Sequence, residues 1–261
     1  MKYRHPLEFN YPQQPDAHMI QPKLIRNLPL DRDYPYYRNR WWDRIKLNIY
    51  QGLFMLIAVP ICTIRHGIRI YGKKVLRKNK NVYKNGYISI CNHVFDWDYM
   101  AVRSALKWKR GFITIWKNNN NRSLGPLFER IGGVPVPDNM AGTVSFTCAL
   151  HQMMEDKRNV HFYPEASMWY YYQGLRPFKK GAFSLACHTH KPIVPMAISF
   201  RPARGIYKLW KRPGFPCSQI AIGNPLFPNE NLPLMERVDD LLNRSYQAVK
   251  DLQEKYTPEV Y

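Results

Sequence analysis

From about residue 80 onward, short apolar runs alternate with longer segments of helical periodicity. The runs occupy residues 87–91, 112–116, 134–136, 160–163, 193–200 and 219–222. Residues 97–107 carry Met100, Val102, Ala105 and Leu106, and residues 142–156 carry Val144, Phe146, Leu150 and Met153. Residues 180–189 carry Ala182, Phe183 and Leu185. The clearest helix lies at 236–256, where Val238, Leu241, Leu242, Tyr246, Val249 and Leu252 recur at three- and four-residue steps and make one apolar face. Strands separated by helices need crossover connections. That pattern predicts an α/β fold, a mostly parallel sheet flanked by helices. In such sheets, sites form in the loops that leave the C-terminal ends of strands.

The segment before this domain has a different composition. Residues 47–64 carry no charge and are just long enough to approach a membrane span. Pro60 interrupts them, and Arg65 and Arg69 come directly after. Trp41 and Trp42 beside Arg40 and Arg44 suit a lipid headgroup layer, where an aromatic ring keeps one wet edge. Residues 39–79 are therefore read as a membrane-docking helical segment, a helix or bent pair inserted into one leaflet, on the cytoplasmic face. A buried core helix is the competing reading. Residues 1–38 hold six prolines, scattered charge and no apolar run, which predicts an extended arm draped over the domain.

The net charge of +20 calls for an anionic partner, and residues 1–80 hold 16 Lys and Arg against 5 Asp and Glu. No zinc finger or recognition helix is present, so a membrane surface is favoured and nucleic acid is not. The five cysteines are scattered and odd in number, which fits reduced thiols. Cys187-His188-Thr189-His190 is the one metal-like spacing, and it offers too few ligands for a zinc site.

The run at 87–91 leads into Cys91-Asn92-His93-Val94-Phe95-Asp96-Trp97-Asp98. A histidine is the usual general base for a hydroxyl proton, and a carboxylate on its other nitrogen fixes the tautomer and stabilises the imidazolium. Asp98 and Asp96 are both candidates for that carboxylate. Helix-start logic favours Asp98 as partner of His93 and Asp96 as the N-cap of a helix beginning near Trp97. The competing reading is a strand-end histidine between two capping aspartates. Gly-x-Ser-x-Gly is absent, which points to direct transfer without a covalent enzyme intermediate.

Further blocks occur in order along the chain, and together they resemble the lysophospholipid acyltransferase family, typified by the 1-acylglycerol-3-phosphate acyltransferases. His93 and Asp98 match its His-x-x-x-x-Asp. Ile131-Gly132-Gly133-Val134-Pro135-Val136 matches its second block in part, and Phe162-Tyr163-Pro164-Glu165-Ala166-Ser167-Met168 matches its third, Phe-Pro-Glu-Gly-Thr-Arg, loosely. Phe178-Lys179-Lys180-Gly181-Ala182 resembles the Phe-Lys-x-Gly-Ala of many members, and Pro192-Ile193-Val194-Pro195 resembles the fourth block. The resemblance implies an acyltransferase domain over residues 80–261, in phospholipid synthesis. It implies acyl-CoA or acyl carrier protein as donor, a lysolipid acceptor and no cofactor. His93 and Asp98 would be catalytic, with backbone N–H groups near Gly132 or Gly133 holding the oxyanion. Glu165 would contact an acceptor hydroxyl or orient a cation. Two family arginines associated with the acceptor's phosphate are missing, because Asp138 and Met168 stand in their places. Lys117, Arg122, Arg176, Lys179 and Lys180 are the candidates to replace them, unless the acceptor carries a headgroup or sugar instead of a terminal phosphate.

Overall fold

Every apolar run in the α/β part forms a strand, because β-branched and aromatic side chains fit a sheet covered on both faces. The structure is a computed structural model and describes residues 1–106 and 111–259. In chain order the elements are α1 (Trp41–Leu56), α2 (Ala58–His66), β1 (Arg69–Tyr71), α3 (Lys73–Lys78), α4 (Lys80–Lys84), β2 (Tyr87–Ile90), α5 (Asp98–Ala105), β3 (Gly111–Trp116), α6 (Lys117–Asn120), α7 (Gly125–Arg130), β4 (Gly133–Val136), α8 (Met140–Glu155), β5 (Asn159–Phe162), α9 (Gly181–Thr189), β6 (Ile193–Arg201), α10 (Ile206–Trp210), β7 (Cys217–Ile222) and α11 (Leu234–Tyr256). The expected helix at 97–107 is α5; residue 107 lies outside the described residues.

The seven strands form one sheet in the order β1-β7-β6-β2-β5-β3-β4. All neighbours are parallel except β6 and β7. Strand β2 is fully buried, and its alternation divides the core. Ile88 and Ile90 join the cluster under α8, α9 and α11, whereas Tyr87 and Cys91 join the cluster under α5. Strand β1 has only three residues and no apolar run of its own. Its existence depends on pairing with β7, so periodicity does not announce it.

Residues 41–66 form two helices with a break at Ile57. Pro60 falls in the first turn of α2, where its missing N–H leaves no intrahelical bond unmade. Ile45, Ile49, Leu53, Leu56, Ile57, Ile61 and Ile64 are exposed, at spacings that keep them on one side. Met55, Val59 and Cys62 pack inward with Met100 of α5. An apolar face turned to solvent on this scale is unlike a buried core helix.

The N-terminal segment is extended and lies along the domain. Leu30 and Tyr36 are buried in the core beside Phe146, and Trp169 Nε1 donates to Ala17 O at 2.9 Å.

Candidate active site

Strand β2 ends on a side chain that imitates backbone. Asn92 Nδ2 donates to Ile198 O at 2.9 Å and Asn92 Oδ1 accepts from Ile198 N at 2.7 Å. This pair extends the bonding to β6 by one rung while the main chain is already turning away. The turn therefore starts from a fixed point, and His93 is the first residue beyond it.

His93 Nδ1 lies 2.9 Å from Asp98 Oδ2. The same oxygen accepts from Val94 N at 2.6 Å and Phe95 N at 3.1 Å. Asp98 opens α5, so one buried carboxylate folds the turn and holds the ring. Burial pushes the Asp98 carboxyl up, and the hydrogen bonds from His93 and the two amides pull it partly back. The imidazole side chain is 23% exposed and that of Asp98 is 1% exposed, so the ring has an open edge and its partner has none. His93 stacks on Tyr163, with ring centroids 4.0 Å apart. Of the two candidate aspartates, the structure thus brings Asp98 to His93. Asp96 is not the N-cap, a position held by Trp97 without a side-chain bond; Asp96 instead accepts from Tyr170 Oη at 2.7 Å.

Glu165 sits behind this turn. Its Oε2 accepts from His93 N at 2.9 Å and from Arg176 Nη2 at 2.8 Å, and its Oε1 accepts from Arg176 N at 2.9 Å. The guanidinium also donates to Ser167 Oγ, Ser167 O and Pro15 O, and it stacks over Trp169. Both side chains of this pair are almost fully buried. Removing one partner of such a pair costs about 3–5 kcal/mol. Glu165 is therefore neither a surface charge nor a helix cap. Of its two expected roles, the structure gives it the one of orienting a cation, and it positions the backbone of the turn as well. Ala166, where the family has glycine, keeps a left-handed φ of 64°, at a cost of about 1–2 kcal/mol.

A second histidine lies beneath the first. His161 Nδ1 is 2.9 Å from Ser89 Oγ, and burial lowers its pKa to about 3, so this ring stays neutral. Its sequence position, on a strand that otherwise reads as apolar, gave no sign of this polar pair.

The expected phosphate-binding cations do not gather at His93 as free groups. Arg176 is 3% exposed and committed to Glu165, so it has no face for a substrate. Lys117 pairs with Asp138 at 2.8 Å, Lys179 with Asp16 at 2.6 Å and Lys180 with Asp239 at 2.5 Å. Arg122 is exposed. Gly132 and Gly133 stand at the start of β4, three strands from β2 and level with the middle of the sheet. Gly132 N bonds Glu129 O, and a Cβ on Gly132 would meet the Gln51 amide at 2.6 Å. These glycines admit the side chain of α1 and the backbone of α7; they are not beside the imidazole, which corrects the expected oxyanion role. Cys187 is buried and His188 Nδ1 lies 2.8 Å from Ser184 O within α9, so that cluster builds a helix end.

A family model described as Acyltransferase matches residues 67–199, just over half of the chain. That range runs from the end of α2 through most of β6 and holds His93, Asp98, Glu165 and Arg176. Among solved structures, the 1-acyl-sn-glycerophosphate (LPA) acyltransferase PlsC from Thermotoga maritima is similar at 14% identity. The alignment covers 80% of this chain and 98% of that one, with a TM-score of 0.46. No curated protein matches the sequence.

Proposed function

Because the chain belongs to the acyltransferase family, we propose that it moves a fatty acyl group from a thioester donor to the hydroxyl of a lysophospholipid, with 1-acylglycerol-3-phosphate as the favoured acceptor. The donor is acyl-CoA or acyl carrier protein. The observation that carries this reading is the 2.9 Å contact between His93 Nδ1 and a buried Asp98, with the rest of the ring at an open edge. Asp98 holds the tautomer that leaves Nε2 unprotonated. Nε2 takes the acceptor's hydroxyl proton as the oxygen attacks the thioester carbonyl, and Asp98 offsets the positive charge that develops on the ring. The tetrahedral intermediate collapses, the C–S bond breaks, and the proton passes from His93 to the leaving thiolate. The products are the ester and the free thiol.

The exposed apolar side of α1 and α2, with Trp41 and Trp42 at one end, supports docking of residues 39–79 into one leaflet of the cytoplasmic membrane face. Arg65 and Arg69 at the other end add attraction to anionic lipid of about 1 kcal/mol each. Residues 80–261 then carry the chemistry, and the arm at 1–38 covers part of that domain.

The test is lipid mass spectrometry of a host that lacks its own lysophosphatidate acyltransferase, with and without this chain. Rescue of phosphatidate is expected. His93→Ala should cost transfer on the order of 10⁴-fold at unchanged thermal stability, and Asp98→Asn about 10³-fold with some loss of stability, because that carboxylate also holds the turn. Full transfer by His93→Ala, or no transfer by the intact protein to any lysolipid offered, overturns the proposal.

A further inference from the structure

Strand β6 runs parallel to β2, and β7 runs antiparallel to β6. The end of β6 and the start of β7 therefore lie at the same sheet edge as His93. The connection between them carries α10, which packs against α2. The approach is close at Gly67, the left-handed cap of α2, where a Cβ would meet Cys217 Sγ at 2.9 Å and Tyr207 at 3.0 Å. A cavity of about 430 Å³ opens between these elements, lined by Arg65, His66, Lys211 and Arg212 with Tyr171 and Trp210.

The charges of this cavity are uncompensated. Among the described residues, Arg65, Lys211 and Arg212 make no ion pair. Burial and the neighbouring charges of Arg201 and Arg65 hold the Lys211 ammonium below its usual range. Arg201 donates to Gly67 O at 2.7 Å. His66 Nε2 is buried with no hydrogen-bond partner. Three unpaired cations around one opening suit a phosphate, whose oxygens accept several charge-assisted bonds at once.

Three contacts join the cavity to the turn that carries the imidazole. Tyr171 N donates to Val94 O at 2.7 Å, and the His66 ring packs 5.6 Å from both Phe95 and Trp97. The rim is apolar: Ile64 of α2 and Ile206, Leu209 and Trp210 of α10 are all exposed. They continue the apolar side of α1 and α2, which places the cavity at headgroup depth once that side is docked.

We propose that this cavity binds the phosphate of the lipid acceptor, with Arg65, Lys211 and Arg212 in place of the family arginines lost at Asp138 and Met168. The inference rests on the acyl-transfer reading for its acceptor but not for its phosphate. The apolar rim selects a phosphate carried by a lipid over the phosphates of a soluble donor. Arg65 and Arg212 are exposed, so their reversal leaves the core intact, and Lys211→Met keeps the packed stem.

The experiment has two parts on the full chain, with thermal unfolding as the folding control. Titration with glycerol 3-phosphate reads the phosphate site without turnover. The intact protein should bind it, and Arg65→Glu/Arg212→Glu and Lys211→Met should each weaken binding at least tenfold, whereas Arg122→Gln should not. Kinetics in mixed micelles then separate the sources. The acceptor KM for 1-acylglycerol-3-phosphate should rise at least tenfold in the cavity variants, by more than kcat falls, with the acyl-CoA KM within twofold. Equal glycerol 3-phosphate binding by intact and variant protein, or a rise confined to the acyl-CoA KM, overturns the inference. Glycerol 3-phosphate binding lost in the variants of a protein that transfers no acyl group would sink the proposed function and leave the phosphate site standing.

Discussion

On the β3–β4 side of His93, Lys117 meets Asp138, Lys179 meets Asp16 and Arg176 meets Glu165. On the β6–β7 side, Arg65, Lys211 and Arg212 surround a cavity and meet no carboxylate among the described residues. Both sides contribute to the same excess of 39 basic over 19 acidic residues. The difference lies in where the scarcer acids fall. A cation already within hydrogen-bond reach of a carboxylate has lost most of its attraction for a substrate anion. A cation crowded by like charges retains it. On the first side the buried Glu165–Arg176 pair holds the site in shape. Of the expected cations there, Arg122 alone makes no ion pair among the described residues, whereas the second side keeps three unpaired cations around one cavity.

The largest expected effect on this contrast is at the buried pair. Glu165→Gln should lower unfolding free energy by about 3 kcal/mol or more in urea titration, because the Arg176 charge is left without its counter-ion. Unchanged stability would mean that the paired side has no structural role.

The buried His161 and the half-buried His66 give the next effect. His161 titrates at about 3 and His66 at about 4, both below the usual value because burial disfavours the charged ring. In the unfolded chain each titrates near 6.5, at about the ordinary histidine value. Between those values the unfolded state binds more protons than the folded one, so stability falls as pH drops below about 6.5. For His161 the slope approaches about 1.4 kcal/mol per pH unit. Urea titrations at pH 7 and pH 5 measure it, and His161→Gln should flatten the difference. Glycerol 3-phosphate separates the two rings. Bound anion favours imidazolium, so the His66 midpoint should move up from about 4 in ring-proton NMR spectra while that of His161 stays in place. Equal movement of both, or of neither, would erase the distinction between the two sides.

The smallest effect is expected at Lys117. Lys117→Gln leaves Asp138 exposed to water, and its effect on the acceptor KM should stay within twofold. A tenfold rise would return phosphate recognition to the β3–β4 side.

Strands, the principal helices and the order of motif blocks are all local patterns. A short continuous apolar run makes β2 legible, and three- and four-residue steps make α11 legible. The proximity of His93 to Asp98 is legible for a similar reason. They are five residues apart across one tight turn, so local geometry decides whether they meet. Helix-start logic fails at Asp96 because Tyr170, 74 residues away in sequence, takes its oxygen.

The α/β class, the apolar segment ahead of the domain and the imidazole–carboxylate pair are all written in the order of the residues, since each depends on positions a few places apart. Which cations are spent and which are free is settled by the folded chain alone. Arg65 and Lys211 come together from α2 and the end of α10, while Arg176 meets Glu165 across a folded loop. Charge interactions are fixed over about 3–4 Å, and distance along the chain carries no record of that approach.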